Sequence, residues 1–394
     1  MKILLINDNL GSQGGAERAF WELKERLTER QQCHVAVLGF GNLPCQTKDM
    51  LVLPALRSQI AKLLWRLCIH PFVYRKLRRF IANYQPDVIH LHNIKQYTAS
   101  LLYALRDYHV VHTVHDFSHL CPTAQNLHRD GAPCATGIRA HCFWQHRVKY
   151  GRLTYLALAL SFYKTRRRLL KTVRTFISPS PLLADYLEKN GFSPVITVPH
   201  FKNDAVIPDF QQMSSTDFLF AGSLDTHKGI FPLLEGFALA VSTIPNLVLH
   251  IAGTGPQKDT LIQFAEKLKI TQQVRFVGWQ TDLTPLYRRC CALIFPSTGL
   301  ESFGLVITEA MNHGRAVIGA NRGTVPWLVE DQRTGLLFDP LNAHSLAEKI
   351  CYLARHRDVA LTLGKQAREK IIEKFDNTAL LNKTLQLAYI PSSN

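Results

Sequence analysis

The chain has 394 residues, of which 46% are hydrophobic and 19% charged. That balance excludes a disordered polypeptide and suits two globular domains of ordinary size. The net charge of +16 belongs to one half: residues 1–200 hold 27 Lys and Arg against 12 Asp and Glu, and residues 201–394 hold 19 against 18. The field of the first half attracts phosphates, anionic lipid or nucleic acid.

In chain order, the apolar run Lys2–Ile6 ends at Asn7 and Asp8, too short for a leader peptide, and is predicted as a buried first strand. A glycine-rich turn and a helical pattern over Ala16–Arg30 follow. Short buried strands are predicted at His34–Leu38, Asp87–Leu91, Val110–Val114, Thr175–Ser178 and Val195–Val198, separated by helix-length segments. The polar stretch Phe201–Ser215 suits a linker. The pattern then restarts, with strands at Phe218–Ala221, Leu247–Ala252, Val274–Val277, Ala292–Phe295 and Ala316–Gly319. Helices are expected at Lys228–Ser242, Asp259–Leu268, Ser345–His356, Val359–Phe375 and Asp376–Ile390. Alternating strands and helices imply parallel β-α-β units. The expected organisation is a first Rossmann-like domain over 1–199, a linker over 200–215, a second Rossmann-like domain over 216–375 and a terminal helix over 376–394.

The longest apolar stretch, within Leu153–Tyr163, is well short of the ~18 residues of a spanning helix. A cytoplasmic protein, peripheral on the inner face of the membrane, is the expectation. Nine cysteines without a leader peptide should be mostly reduced thiols, with Cys290 and Cys291 buried beside Ala292–Phe295.

The chemistry-bearing motifs follow predicted strands, where ligands of doubly wound sheets bind. Gly14 and Gly15 open the first helix, where small residues let amides approach a phosphate, though the spacing lacks G-x-G-x-x-G and reads equally as a tight turn. Ser223 and Lys228 follow the first strand of the second half, and the lysine would reach back from the helix start as a point charge for a diphosphate. Gly255 and Gly278 end later strands, where they serve either a base and ribose or an ordinary turn. Glu301 and Glu309 flank the segment Ser302–Thr308. Eight residues on one helix would turn ~80° and rise ~12 Å, so the two glutamates are not a carboxylate dyad. Placing the helix start near Phe303–Gly304 puts Glu301 in a loop, within reach of a sugar. Glu309 then lies in the helix, able to take two ribose hydroxyls, and the amides near Gly304, Leu305 and Val306 can accept a phosphate.

Arg57–Phe80 and Arg147–Arg174 mix apolar residues with Lys and Arg, a composition for an anionic membrane surface or a lipid-linked acceptor. No nucleic-acid motif is present, so no nucleic-acid partner is expected. Cys121, Cys134, His141 and Cys142 could form a structural metal cluster, but they lack a tight Cys-x-x-Cys pair and no catalytic metal is expected.

Together these motifs resemble the large retaining glycosyltransferase family 4, with the GT-B fold: α/β, two Rossmann-like doubly wound domains facing across a cleft. The resemblance covers nearly the whole chain. It implies a nucleotide-sugar donor (a UDP- or GDP-sugar), a saccharide or lipid-linked saccharide acceptor, no required cofactor and a role in surface polysaccharide assembly. It further implies that Lys228 holds the diphosphate, Glu309 the ribose and Glu301 the donor sugar, with Gly15 near the β-phosphate. His115 matches the family histidine near the donor sugar, and the terminal helix packs back on the first domain. Ser223 stands where the family usually has arginine. Arg322 and Arg18 are candidate substitutes, and a nucleotide-sugar-binding partner protein with lost turnover is the alternative. A dinucleotide-dependent oxidoreductase is disfavoured by the missing G-x-G-x-x-G spacing.

Overall fold

The computed structural model describes residues 1–11, 14–41, 49–121, 134, 142, 152–204 and 206–390. The chain divides into two compact units, Met1–Phe201 with Asn377–Asn394, and Lys202–Asp376. Each is an α/β unit on one parallel sheet, and together they are the two domains of a GT-B fold.

The sheet of unit 1 contains β1 (Lys2–Asn7), β2 (His34–Phe40), β3 (Met50–Leu53), β4 (Val88–Leu91), β5 (Val110–Thr113), β6 (Thr175–Ser178) and β7 (Val195–Thr197), in the order β3-β2-β1-β4-β5-β6-β7. Its helices are α1 (Gly15–Glu29), α2 (Gln59–Leu67), α3 (Pro71–Tyr84), α4 (Thr98–Leu105), α5 (Arg152–Thr172) and α6 (Pro181–Lys189). Ile3, Leu4, Leu5 and Ile6 of β1 are all fully buried, because helices cover both faces of a parallel sheet. At about 1.5–3 kcal/mol per side chain, these four residues supply several kcal/mol of burial energy.

The sheet of unit 2 contains β8 (Asp217–Ala221), β9 (Val248–Ala252), β10 (Val274–Gly278), β11 (Ala292–Phe295), β12 (Ala316–Ala320) and β13 (Gly335–Phe338), in the order β10-β9-β8-β11-β12-β13. Its helices are α7 (Ile230–Thr243), α8 (Lys258–Lys267), α9 (Thr284–Arg289), α10 (Leu305–Asn312), α11 (Val325–Leu328), α12 (Ala343–Arg355) and α13 (Arg357–Lys374). Strand order reverses between β1 and β4 in unit 1, and between β8 and β11 in unit 2. The loops leaving those strands therefore diverge and open a crevice at the carboxyl end of each sheet.

Four sequence expectations are corrected. The patterning omits β3 and β13, four-residue strands at sheet edges that are too short to show a period. The helix expected from Lys228 begins at Ile230. Gly229 takes φ 69°, and a Cβ there would lie 2.0 Å from the Pro296 carbonyl oxygen, so Thr226–Lys228 forms a separate 3-10 turn. The segment expected as a polar linker is fastened to unit 2 by arginines. Fully buried Arg315 donates to the Asp209 carbonyl, Arg357 to those of Phe210 and Met213, and Arg368 to that of Val206.

The last helix, α14 (Asn377–Thr384), runs into a π-helical turn, Leu385–Tyr389, where one unbroken helix is expected. This segment joins unit 1 through Arg30 Nη2 to Asn382 Oδ1 (2.5 Å) and His109 Nε2 to the Ala388 carbonyl (2.8 Å). Among the described residues no helix is long and apolar enough to cross a membrane.

Candidate active site

In unit 2 the loops after β8 and β11 bring Lys228 and Glu301 together. Lys228 Nζ donates to Glu301 Oε1 at 2.8 Å, and Ser297 Oγ donates to the same oxygen at 2.6 Å. The His227 carbonyl ties the two loops by accepting from Ser297 Oγ and the Thr298 amide, each at 3.0 Å. Burial pushes the Glu301 carboxyl up. The charge and hydrogen bond of Lys228 and the bond from Ser297 outweigh it and hold the group below its usual range, so it is a carboxylate.

Gly304, at φ 102°, turns the chain into α10, placing Glu301 four residues before the first residue of the helix and Glu309 on its second turn. The first amides of a helix lack intrahelical partners and attract anions. Glu309 is half-buried and accepts from the Tyr287 hydroxyl at 3.1 Å. Phe303 is buried against Trp327 and Phe375, with ring centroids 6.2 and 6.1 Å away. Its side chain is a core anchor, which leaves the backbone for any contact with a donor.

The other expected residues of this unit lie at the carboxyl ends of β8, β9, β10 and β12. Ser223 is exposed between the Gly222 turn and Leu224, whose amide donates to Thr254 O at 3.0 Å. A Cβ on Gly255 would meet the Leu224 backbone at 2.6 Å, so only glycine lets these turns approach. Gly278 ends β10, and its carbonyl accepts from the Gly253 amide at 2.8 Å. Arg322 donates to the Thr298 carbonyl, on the loop that carries Glu301.

In unit 1, Gly14 caps α1 and Gly15 is its first residue, while Arg18 is exposed on its first turn. A Cβ on Gly14 would collide with the Glu17 carboxylate, which folds back over the helix start. His115 follows β5. Its Nε2 lies 2.9 Å from His92 Nδ1, and its ring stacks on that of His200 at 5.3 Å. A larger array surrounds it. His90 bonds Tyr389 Oη (2.6 Å) through Nδ1 and Thr113 Oγ1 (2.7 Å) through Nε2. His112 Nδ1 donates to the Leu91 carbonyl at 3.1 Å, because a carbonyl can only accept. Its Nε2 then accepts from His119 Nε2 at 2.6 Å. Burial lowers every one of these imidazoles, His90 to about 3 and His119 and His200 to about 4, so the array is neutral at pH 7. A small cavity among His92, Lys95, His115, Asp116 and His119 opens at this strand end.

Of this array, the sequence motifs mark His115 alone. The available signal was His90-Leu91-His92, which puts two imidazoles on one strand face. Cys290 and Cys291 are buried, and burial pushes both thiols up to about 12. Of the suggested metal cluster, His141 lies outside the described residues. Among the described residues no three His, Cys, Asp or Glu side chains are grouped to hold a metal.

Residues 13–203 match the family described as Glycosyltransferase Family 4, and residues 209–370 match that described as Glycosyl transferases group 1. The chain belongs to this glycosyltransferase family. It is 28% identical over 166 residues to the lipopolysaccharide core biosynthesis glycosyltransferase LpsE of Rhizobium meliloti, a match covering 42% of this chain and 47% of that one. It is 30% identical over 172 residues to the trehalose synthase of Thermococcus litoralis, covering 41% of each. The chain thus spans less than half the length of these curated relatives. Among solved structures, Anabaena HepE in complex with UDP and glucose superposes with a TM-score of 0.71 at 18% identity, covering 98% of this chain and 99% of that one. The sucrose-phosphate synthase of Thermosynechococcus elongatus gives 0.73 at 20%, covering 98% of each. This glycosyltransferase therefore has the GT-B fold.

Proposed function

We propose that this glycosyltransferase moves a sugar from a UDP- or GDP-sugar to a saccharide or lipid-linked saccharide acceptor with retention of the anomeric configuration, in surface polysaccharide assembly. The observation that carries the reading is the Lys228–Glu301 pair, 2.8 Å apart, just ahead of the N-terminus of α10. Lys228 and the first-turn amides of α10 stabilise the departing diphosphate, so the reaction needs no metal. Glu301 contacts the donor sugar and Glu309 takes the ribose hydroxyls. Gly15 and His115, on unit 1, carry the roles that the resemblance implies for them. Support also comes from HepE, a structural neighbour solved with UDP and glucose.

Release of nucleoside diphosphate from a panel of UDP- and GDP-sugars, with Glu309→Ala as control, tests this reading. One donor turned over by the wild type only, in the presence of chelator and dependent on a lipid-linked saccharide extract, is the expected result. Tight nucleotide binding without turnover would favour the alternative, a partner protein in which Ser223 replaces a needed arginine.

We further propose that unit 1 docks on an anionic membrane surface, as a peripheral protein on its inner face. Helix α2 buries none of its residues, and Ile60 is 80% and Leu64 47% exposed on one face of it. Phe72 on α3 and Leu156, Leu160 and Tyr163 on α5 are also exposed. Residues 50–86 and 131–184 contain no Asp or Glu. Flotation with vesicles of phosphatidylglycerol at low salt is expected to carry the protein up, and Ile60→Asp with Leu64→Asp to reduce it about tenfold. Wild-type protein left at the bottom of the gradient would overturn the docking.

A further inference from the structure

We propose that Tyr287 is a positioning residue that aims Glu309 at the donor ribose and so sets the preference of the site for ribose hydroxyls. The inference rests on the reading above that Glu309 holds the ribose. Tyr287 lies on α9, an element separate from the loops that carry Lys228 and Glu301. It is buried, and three contacts fix it. Its ring stacks on His313 at 5.0 Å and 24°. Its carbonyl accepts from Arg315 Nε, 2.5 Å away, and from Cys290 Sγ at 3.6 Å.

From that anchor the hydroxyl reaches the first two turns of α10. It lies 3.1 Å from Glu309 Oε2 and 3.4 Å from the Val306 carbonyl, two groups three residues apart and hence on one helix face. One proton serves both, and the shorter contact, to the charged acceptor, is the stronger. A carboxylate has about four lone-pair sites, so the tyrosine uses one and two more suffice for a pair of ribose hydroxyls. A glutamate side chain has three rotatable bonds, and any ordering left to the moment of binding weakens nucleotide affinity. The hydroxyl of a rigid ring selects the rotamer beforehand.

Titration calorimetry of the full chain with UDP and GDP, and with the 2′,3′-dideoxy form of whichever binds more tightly, tests this. The wild type is expected to prefer the ribose form at least tenfold. Tyr287→Phe keeps the ring and its stacking. It is expected to weaken binding of the ribose form about three- to tenfold and leave the dideoxy form unchanged. Glu309→Ala is expected to erase the preference. Erasure by Glu309→Ala with the full preference kept in Tyr287→Phe, or both forms weakened equally, would overturn the role of Tyr287. A preference that survives Glu309→Ala, or no binding of either nucleotide, would overturn the ribose role of Glu309 and the inference with it.

Discussion

Lys228→Ala is expected to lower turnover by about 10²–10³ while the protein stays folded. The size follows from what the lysine leaves behind. Its ammonium is paired with Glu301 at 2.8 Å, and that carboxylate is largely buried, with Ser297 as its other hydrogen-bond donor. On the proposed role, truncation removes a cation from the leaving diphosphate and exposes the same diphosphate to an uncompensated anion. The loss should therefore exceed that of a lone surface lysine, for which solvent would screen the change. Adding Glu301→Ala to Lys228→Ala should restore part of the nucleotide affinity, because the repulsion disappears with the carboxylate, while turnover stays low. A double-mutant cycle on UDP or GDP binding measures that coupling. Wild-type turnover in folded Lys228→Ala would remove the lysine from the site.

Lowering the pH from 7.5 to 5 is expected to destabilise unit 1. His90 is held neutral by burial at about 3, whereas in the unfolded chain it protonates near 6.5. Below pH 6.5 the unfolded state binds the extra proton, so stability falls as pH falls. At pH 5 the loss from this one residue is about 2 kcal/mol. His92 and His112 act in the same direction, held down by burial first and by neighbouring histidines second. Asp8 opposes them. Burial raises it to about 7 against the amides of Lys95 and Gln96, so the folded state takes up its proton first and gains stability between pH 7 and 5. His115, His119 and His200 are lowered by burial as well, and one carboxyl against six imidazoles leaves a net loss. In calorimetry the unfolding transition of this unit should drop by about 5 °C or more at pH 5. Equal transition temperatures at pH 7.5 and pH 5 would show that the array does not bear on stability.

Much of this architecture is legible in the residues alone. Buried parallel strands such as Ile3–Ile6 and Leu293–Phe295 read as continuous apolar runs, and their alternation with helices specifies two doubly wound units. The eight-residue separation of Glu301 and Glu309, with Gly304 between them, locates the helix start because few other residues tolerate φ 102°. Local pattern and backbone chemistry suffice for such features, since neither depends on distant partners.

Other features are settled only by contacts between segments far apart in the chain. Lys228 meets Glu301 across 73 residues because β8 and β11 are neighbours at the reversal of strand order. His90 meets Tyr389 across 299 residues, and Tyr287 meets Glu309 across 22. The short edge strands β3 and β13 form because a neighbouring strand offers its unpaired backbone groups, which no local period announces. By itself the sequence determined the two parallel sheets, the glycine turns and the helix that carries Glu309. The tertiary structure alone decided which charges face one another and which histidines are sealed from water, because pairing and burial are properties of the packed chain and not of any stretch of it.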